Sequence, residues 1–211
     1  VTDEANQPQS SIASALIHRG SFYIGMKPTN YVADKGKEAR FDVQTLDTNG
    51  KAIDRTALSY AINLINWDCK RTKDDKGRNI WKCDEVKTEI QRGDLTTDAN
   101  GKSQLAFTPP KGGSYRLDLQ GKDARGNRVL GQTWLWVSDR TQFLAWQFDN
   151  NDRINLVLDK KEYNIGDTAK VMIQSPYQKA TALVTIERGK IISNQLIALD
   201  SNSATVSIPI T

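Results

Sequence analysis

The sequence predicts an all-β chain built from tandem immunoglobulin/fibronectin-III-like β-sandwich modules, and three observations carry that prediction. Apolar and polar residues alternate with a period of two, as in Tyr115-Arg-Leu117-Asp-Leu119-Gln, where one side of a strand would face a core. Glycine turns, Asn49-Gly50 and Asn100-Gly101 among them, supply the positive φ that tight hairpin turns require. Short strand-like runs are punctuated roughly every 8–15 residues, and 211 residues is too long for one sandwich of about 100 residues and short for three. No run of ten or more residues gives a 3.6-residue stripe.

Taken in order, residues 1–20 read as a linker or the end of a preceding module, polar over 1–10, with a strand expected at Ile12–His18. The first complete sandwich is expected over residues 21–138, with seven strands near 22–27, 38–46, 58–70, 79–91, 102–108, 113–123 and 128–138. Residues 139–153, carrying Phe143, Trp146 and Phe148 among polar neighbours, read as a linker that packs. A partial second sandwich follows over 154–211, with strands at Ile154–Leu158, Ala169–Gln174, Ala182–Glu187, Ile191–Leu199 and Ala204–Ile210. Five strands leave an open edge and an incomplete core, so missing strands are expected elsewhere.

The two modules open alike. Residues 22–44 and 154–174 share a strand, a basic residue pair or Lys-Pro, a tyrosine, a glycine turn and a second strand. Tyr31 aligns with Tyr163, and Ala39-Arg40-Phe41 with Ala169-Lys170-Val171. The shared form is a strand whose tyrosine ring folds over the sandwich edge.

Hydrophobic residues make up 38%, enough to core each module, and no apolar run approaches the roughly 20 residues that span a bilayer. No basic-apolar-small signal opens the chain. The 29 basic and 25 acidic residues are interleaved, as in Lys122-Asp123-Ala124-Arg125, without the clustered basic stripe of a nucleic-acid binder. The charge describes a solvated surface.

Cys69 and Cys83 are the two cysteines, in matching contexts, Trp67-Asp-Cys69 and Trp81-Lys-Cys83. A hairpin centred near Lys76 would set them opposite one another. A disulfide there would close a loop of about 15 residues, nominally worth about 3 kcal/mol, and would imply an oxidising compartment. Two free thiols, or half of a zinc site, are the alternatives; zinc needs two further good ligands and the single histidine, His18, is distant in sequence. One histidine in a strand-like segment makes no catalytic triad. Asp47-Thr-Asn-Gly50 and Asp98-Ala-Asn-Gly101 faintly resemble calcium loops but lack the later acidic ligands, and hairpin turns account for them. Trp134 and Trp136 share one side of a strand whose other side carries Leu135 and Val137. This is either a sugar platform or, more simply, a strand covered on both sides by the linker aromatics. No catalytic residue, cofactor or metal ligand is expected.

The second module is the most specific part of the chain. Leu158-Asp-Lys-Lys-Glu-Tyr163-Asn-Ile-Gly166-Asp-Thr-Ala-Lys-Val171-Met-Ile-Gln-Ser175-Pro-Tyr, then Ala182-Leu-Val-Thr-Ile-Glu-Arg188-Gly, resembles the opening of the bait-region domain of bacterial alpha-2-macroglobulins. Phe22-Tyr-Ile-Gly25, Asp47-Thr-Asn-Gly-Lys51 and Thr133-Trp-Leu-Trp-Val-Ser138 extend the resemblance over about residues 15–211. It implies macroglobulin-like sandwiches in a large protease-trapping inhibitor, in which a protease cuts a bait segment and is enclosed. It also implies target proteases and neighbouring macroglobulin-like domains as partners, and a periplasmic protein tethered to the inner membrane through an anchor outside this chain. Neither Cys69 nor Cys83 is followed by the Glu-Gln of a thioester motif, and no lipid-anchor cysteine lies near residue 1. The expected role of this segment is therefore scaffold and conformational spring around the bait. An immunoglobulin-like adhesin stalk and a carbohydrate-binding sandwich are the competing readings.

Overall fold

The computed structural model describes residues 10–147, 149 and 153–211, all of whose regular elements are strands. Eight strands form the first sandwich: β1 (Phe22–Pro28), β2 (Val32–Asp34), β3 (Ala39–Asp47), β4 (Ala57–Lys73), β5 (Asn79–Thr96), β6 (Lys102–Phe107), β7 (Gly113–Lys122) and β8 (Arg128–Ser138). A three-stranded sheet, β1-β3-β6, packs on a five-stranded one, β2-β8-β7-β4-β5. The period-two residues meet between them: Phe41 and Val43 from β3, Ile62 and Leu64 from β4, Tyr115, Leu117 and Leu119 from β7, Leu135 and Val137 from β8. Each such side chain contributes on the order of 1.5–3 kcal/mol by leaving water. The Tyr115 hydroxyl, deep in this core, donates to the Lys111 carbonyl at 2.8 Å, and burial pushes its pKa up to about 12.

Eight strands stand where seven were expected because β2 is three residues long, too short to alternate. It leaves the first sheet after Pro28 and pairs parallel with Trp136–Ser138 at the edge of the second. The expected strand at Ile12–His18 is absent. That segment is irregular and pairs with none of the sheet edges, with Ile12 94% and Ile17 85% exposed. The His18 ring instead meets the Tyr23 hydroxyl. Residues 1–9 of the polar loop expected over 1–10, and Phe148, lie outside the described residues.

Four turns share one design, Asp-x-x-Gly, at Asp47, Asp74, Asp98 and Asp123. Each aspartate Oδ1 accepts the amides two and four residues on, at 2.8–2.9 Å. Each backbone carbonyl accepts the glycine amide, and the glycines alone take positive φ, from 70 to 82°. These are type I turns closed by a left-handed glycine; the Asn of Asn49-Gly50 and Asn100-Gly101 keeps negative φ.

The second unit comprises β9 (Asn155–Leu158), β10 (Thr168–Gln174), β11 (Ala180–Glu187), β12 (Ile191–Leu199) and β13 (Thr205–Pro209). The sheet β13-β10-β9 faces the pair β11-β12 across Ile173, Leu199, Ala204, Ala182 and Val184.

Candidate functional site

The hairpin β4–β5 is longer than the sandwich it belongs to. β7 pairs with β4 only over Ser59–Ile65, whereas β5 follows β4 to Lys73, so a two-stranded arm of residues 66–86 projects beyond the sheet. Cys69 lies directly opposite Cys83, and the structure joins them in a disulfide, Cα to Cα 4.0 Å. The two sulfurs are thereby removed from the thiol and zinc alternatives.

The stapled side of the arm faces the joint between the two units. Cys69 Sγ lies 4.0 Å from the Trp146 carbonyl, a contact only, since a disulfide sulfur carries no proton to donate. Trp67 and the Trp146 segment line a cleft of about 460 Å³ together with Trp134, Trp136 and the β9 residues Asn155–Leu158. Trp81 sits two residues from Cys83 on the same side of the ladder, so all five tryptophans of the chain gather on one side of the five-stranded sheet. Trp134 and Trp136 stack at 6.3 Å with their planes 21° apart, and the Arg116 guanidinium lies 5.7 Å from the Trp134 ring centre. Arg116 is held in turn by Glu85 and Asp118. Trp136 is covered by the linker: it packs with Val32, Leu144, Trp146, Met172 and Val157 in a small core shared by both units. Of the linker aromatics, Trp146 is buried and Phe143 is 54% exposed.

Polar groups lock this apolar seam. Asn202 is fully buried and reads the linker backbone as a strand would: Leu144 N donates to its Oδ1 at 3.0 Å and its Nδ2 donates to Leu144 O at 2.8 Å. The Trp146 indole donates to the Asn202 carbonyl at 2.8 Å. Asp139 N donates to Ser203 Oγ, and that hydroxyl is within reach of the Asp139 carbonyl, both at 3.2 Å. The Asp139 carboxylate is itself buried. Burial alone would raise its pKa, but the Lys35 ammonium at 2.8 Å and the Thr141 hydroxyl and amide outweigh that and hold it at about 2. On the far side of the seam Tyr31 N donates to Asp159 O at 2.8 Å, and Lys170 Nζ pairs with Asp34 at 3.1 Å. The repeat tyrosines have separate tasks. Tyr163 donates to Asp159 Oδ1 at 2.7 Å, while the Tyr31 ring receives Lys161, 5.5 Å from its centre.

Cys69, Cys83, Trp134, Trp136 and Trp146 were singled out in the sequence, and the fold brings them to one side of the joint. Asn202, Ser203, Lys35 and Asp139 were not. A Ser-Asn-Ser run between two strands reads as an exposed turn, and only its one departure from turn composition, the absence of a glycine or proline, hinted otherwise. What this arrangement does is mechanical: it fixes one sandwich on the other.

Comparison with known proteins gives this joint a setting. The family model described as bacterial macroglobulin domain 6 matches residues 25–130, and that described as alpha-2-macroglobulin bait region domain matches residues 154–211. An alpha-2-macroglobulin homolog of a Nostoc species is 26% identical over 211 residues, 100% of this chain and 11% of that protein. The alpha-2-macroglobulin of Escherichia coli is 27% identical over 175 residues, 75% of this chain and 9% of that protein. This chain thus spans about a tenth of the length of these curated relatives. Among solved structures, the native conformation of E. coli alpha-2-macroglobulin superimposes with a TM-score of 0.52 at 18% identity, over 99% of this chain and 14% of that one, which speaks for the fold. With one macroglobulin model ending before the linker and a second beginning after it, the chain belongs to the bacterial alpha-2-macroglobulin family.

Proposed function

We propose that this chain is a scaffold segment of a protease-trapping inhibitor, carrying the start of the bait-region domain and holding it at a set angle to the preceding sandwich. The observation that carries this reading is the joint itself. The segment that matches the bait region domain is bound through Asn202, Ser203 and Met172 to the linker and the first sandwich, so strain on one is transmitted to the other. The chain would do no chemistry of its own; its partners are target proteases, met by the full-length protein, and adjoining macroglobulin-like domains. The Cys69–Cys83 disulfide favours an oxidising compartment, which we take to be the periplasm, with tethering to the inner membrane through an anchor outside this chain.

The test is limited proteolysis of the full-length natural protein by several unrelated proteases, followed by native mass spectrometry. Cleavage concentrated in one segment, with compaction and a retained protease, is the expected result. Scattered nicks between domains with no rearrangement would overturn the reading and leave a modular stalk.

A further inference from the structure

Basic and acidic residues balance over most of this chain, and the β4–β5 arm is where that balance ends. β7 pairs with β4 as far as Ile65, and residues 66–73 continue past it for roughly 25 Å, pairing among the described residues with β5 alone. Six cations crowd the outer half of this arm, Lys70, Arg71, Lys73, Lys76, Arg78 and Lys82, and Asp74 and Asp75 are the acids among them. The six are drawn from 29 basic residues and the two from 25 acidic ones, which leaves 23 of each elsewhere. The whole net charge of +4 therefore sits on residues 70–82.

These charges work against the hairpin that carries them. One step outward from the Cys69–Cys83 pair, Lys70 stands directly opposite Lys82; one step inward, Asp68 stands opposite Asp84. Like charges facing each other across an antiparallel ladder destabilise it. Lys70 relieves part of this by pairing with Asp68 at 2.9 Å, and the disulfide between the two pairs holds the register that they oppose. Acids are thereby kept at the base of the arm, where Arg116 also holds Glu85, and bases at its tip. Asp74 is committed to the turn: its carboxylate accepts the Lys76 and Arg78 amides and the Arg78 guanidinium at 2.7–2.9 Å. All six cations are exposed; even the paired Lys70 and Arg78 keep side chains 73% and 72% exposed.

We infer that the tip of the arm is an electrostatic contact for an anionic phospholipid surface, met end-on, with headgroup phosphates as its ligands. The disulfide argues for a compartment outside the reducing cytosol, where bilayer headgroups are a standing source of negative charge. A protein partner fits less well. Protein interfaces are depleted in lysine and centre on aromatic or apolar anchors, and the turn Lys73-Asp-Asp-Lys76-Gly-Arg78 has none. Lys70 and Lys82 project on one side of the ladder and Arg71 and Lys73 on the other, so the charge surrounds a narrow tip. That suits a diffuse negative field, in which each Lys or Arg near the surface adds to the attraction. The contact is additional to the anchor proposed above. It rests on the oxidising compartment and not on protease trapping.

Sedimentation of the 211-residue chain with sucrose-loaded vesicles tests this with no protease present. At about 0.02 M salt, phosphatidylcholine vesicles with about one third phosphatidylglycerol should retain the chain at least about tenfold better than phosphatidylcholine alone. At about 0.5 M salt that difference should vanish. Lys73→Gln/Lys76→Gln/Lys82→Gln should weaken retention at least about tenfold and leave the melting temperature unchanged. Lys51→Gln/Lys102→Gln/Lys122→Gln removes the same charge from exposed lysines remote from the arm, and should bind within about twofold of the parent. Equal losses in the two variants would mean attraction to net charge alone, and equal retention by the neutral vesicles would mean apolar adsorption; either overturns the inference. No retention by the anionic vesicles, with polyglutamate bound by the parent and lost in the arm variant, would assign the tip to an acidic polypeptide instead.

Discussion

Asp139 concentrates the electrostatics of the joint in one carboxylate. Its folded pKa of about 2 lies below the usual value near 4, so its contribution to stability is fully present above about pH 5 and is lost as pH falls from about 4 towards 2. Asp139→Asn should therefore lower stability by about 2 kcal/mol at pH 7 and remove that acid-limb component, read from urea midpoints between pH 2 and 7. Lys35, 42% exposed, is solvent-screened, and removing it alone should do less. Glycines offer a second contrast at this scale. Gly50 and Gly101 occupy the same place in the same turn, at φ 82° and 70°. A methyl at Gly50 meets nothing within 4 Å, whereas one at Gly101 would lie 2.7 Å from Ile53 O and 2.8 Å from Thr45 O. Gly50→Ala should cost about 1 kcal/mol, the left-handed penalty alone, and Gly101→Ala at least about 2 kcal/mol more, because backbone must move. Thermal melts of the two variants side by side check this.

Among the elements, the β4–β5 arm is the one whose stability does not come from a core. Among the described residues it pairs with no third strand, and its residues 68 and 70–73 are largely exposed, so the ladder and the Cys69–Cys83 staple hold it. A double Cys69→Ser/Cys83→Ser variant should lose at most about 3 kcal/mol of overall stability, the chain-entropy value for this loop. Its larger effect should be local: tryptic cleavage at Lys70, Arg71 and Lys82 should accelerate several-fold, while cleavage at Lys76 and Arg78, already in the turn, should change little. Time-resolved digestion with mass spectrometry separates the two, and the unreduced parent should show no alkylatable thiol. The arm was readable in the sequence because its information is local, with two cysteines at matched distances from an Asp-x-x-Gly turn. β2 was not, because three residues carry no period.

For the whole molecule, the question is whether the two sandwiches unfold as one. Asn202 stands at the centre of the seam, and truncating it would leave Leu144 N buried without a partner, at about 1–3 kcal/mol, and Leu144 O with the Trp146 amide alone. Asn202→Ala should split a single cooperative unfolding transition into two, with the second unit melting first, as calorimetry would resolve. A single unsplit transition would mean that the apolar contacts of Met172, Trp136 and Trp146 suffice. Legible in the local sequence were the all-β class, the positions of every strand but β2 to within about five residues (with one strand too many, at Ile12–His18), the turn chemistry, the opposition of the two cysteines and the internal repeat. All of these follow from local rules: a period of two, a glycine that tolerates positive φ, an aspartate that caps its own turn. Which surfaces meet follows instead from contacts between segments far apart in the chain. Ser201, Asn202 and Ser203 are buried because a linker some 60 residues earlier in the chain brings them its unpaired backbone, and Trp136 is covered because Leu144 and Trp146 fold back over it. Ile12 and Ile17 stay exposed for the converse reason, since their segment packs on no core and apolar character by itself does not make a strand. A polar residue is buried, and an apolar one exposed, according to partners the local sequence does not contain.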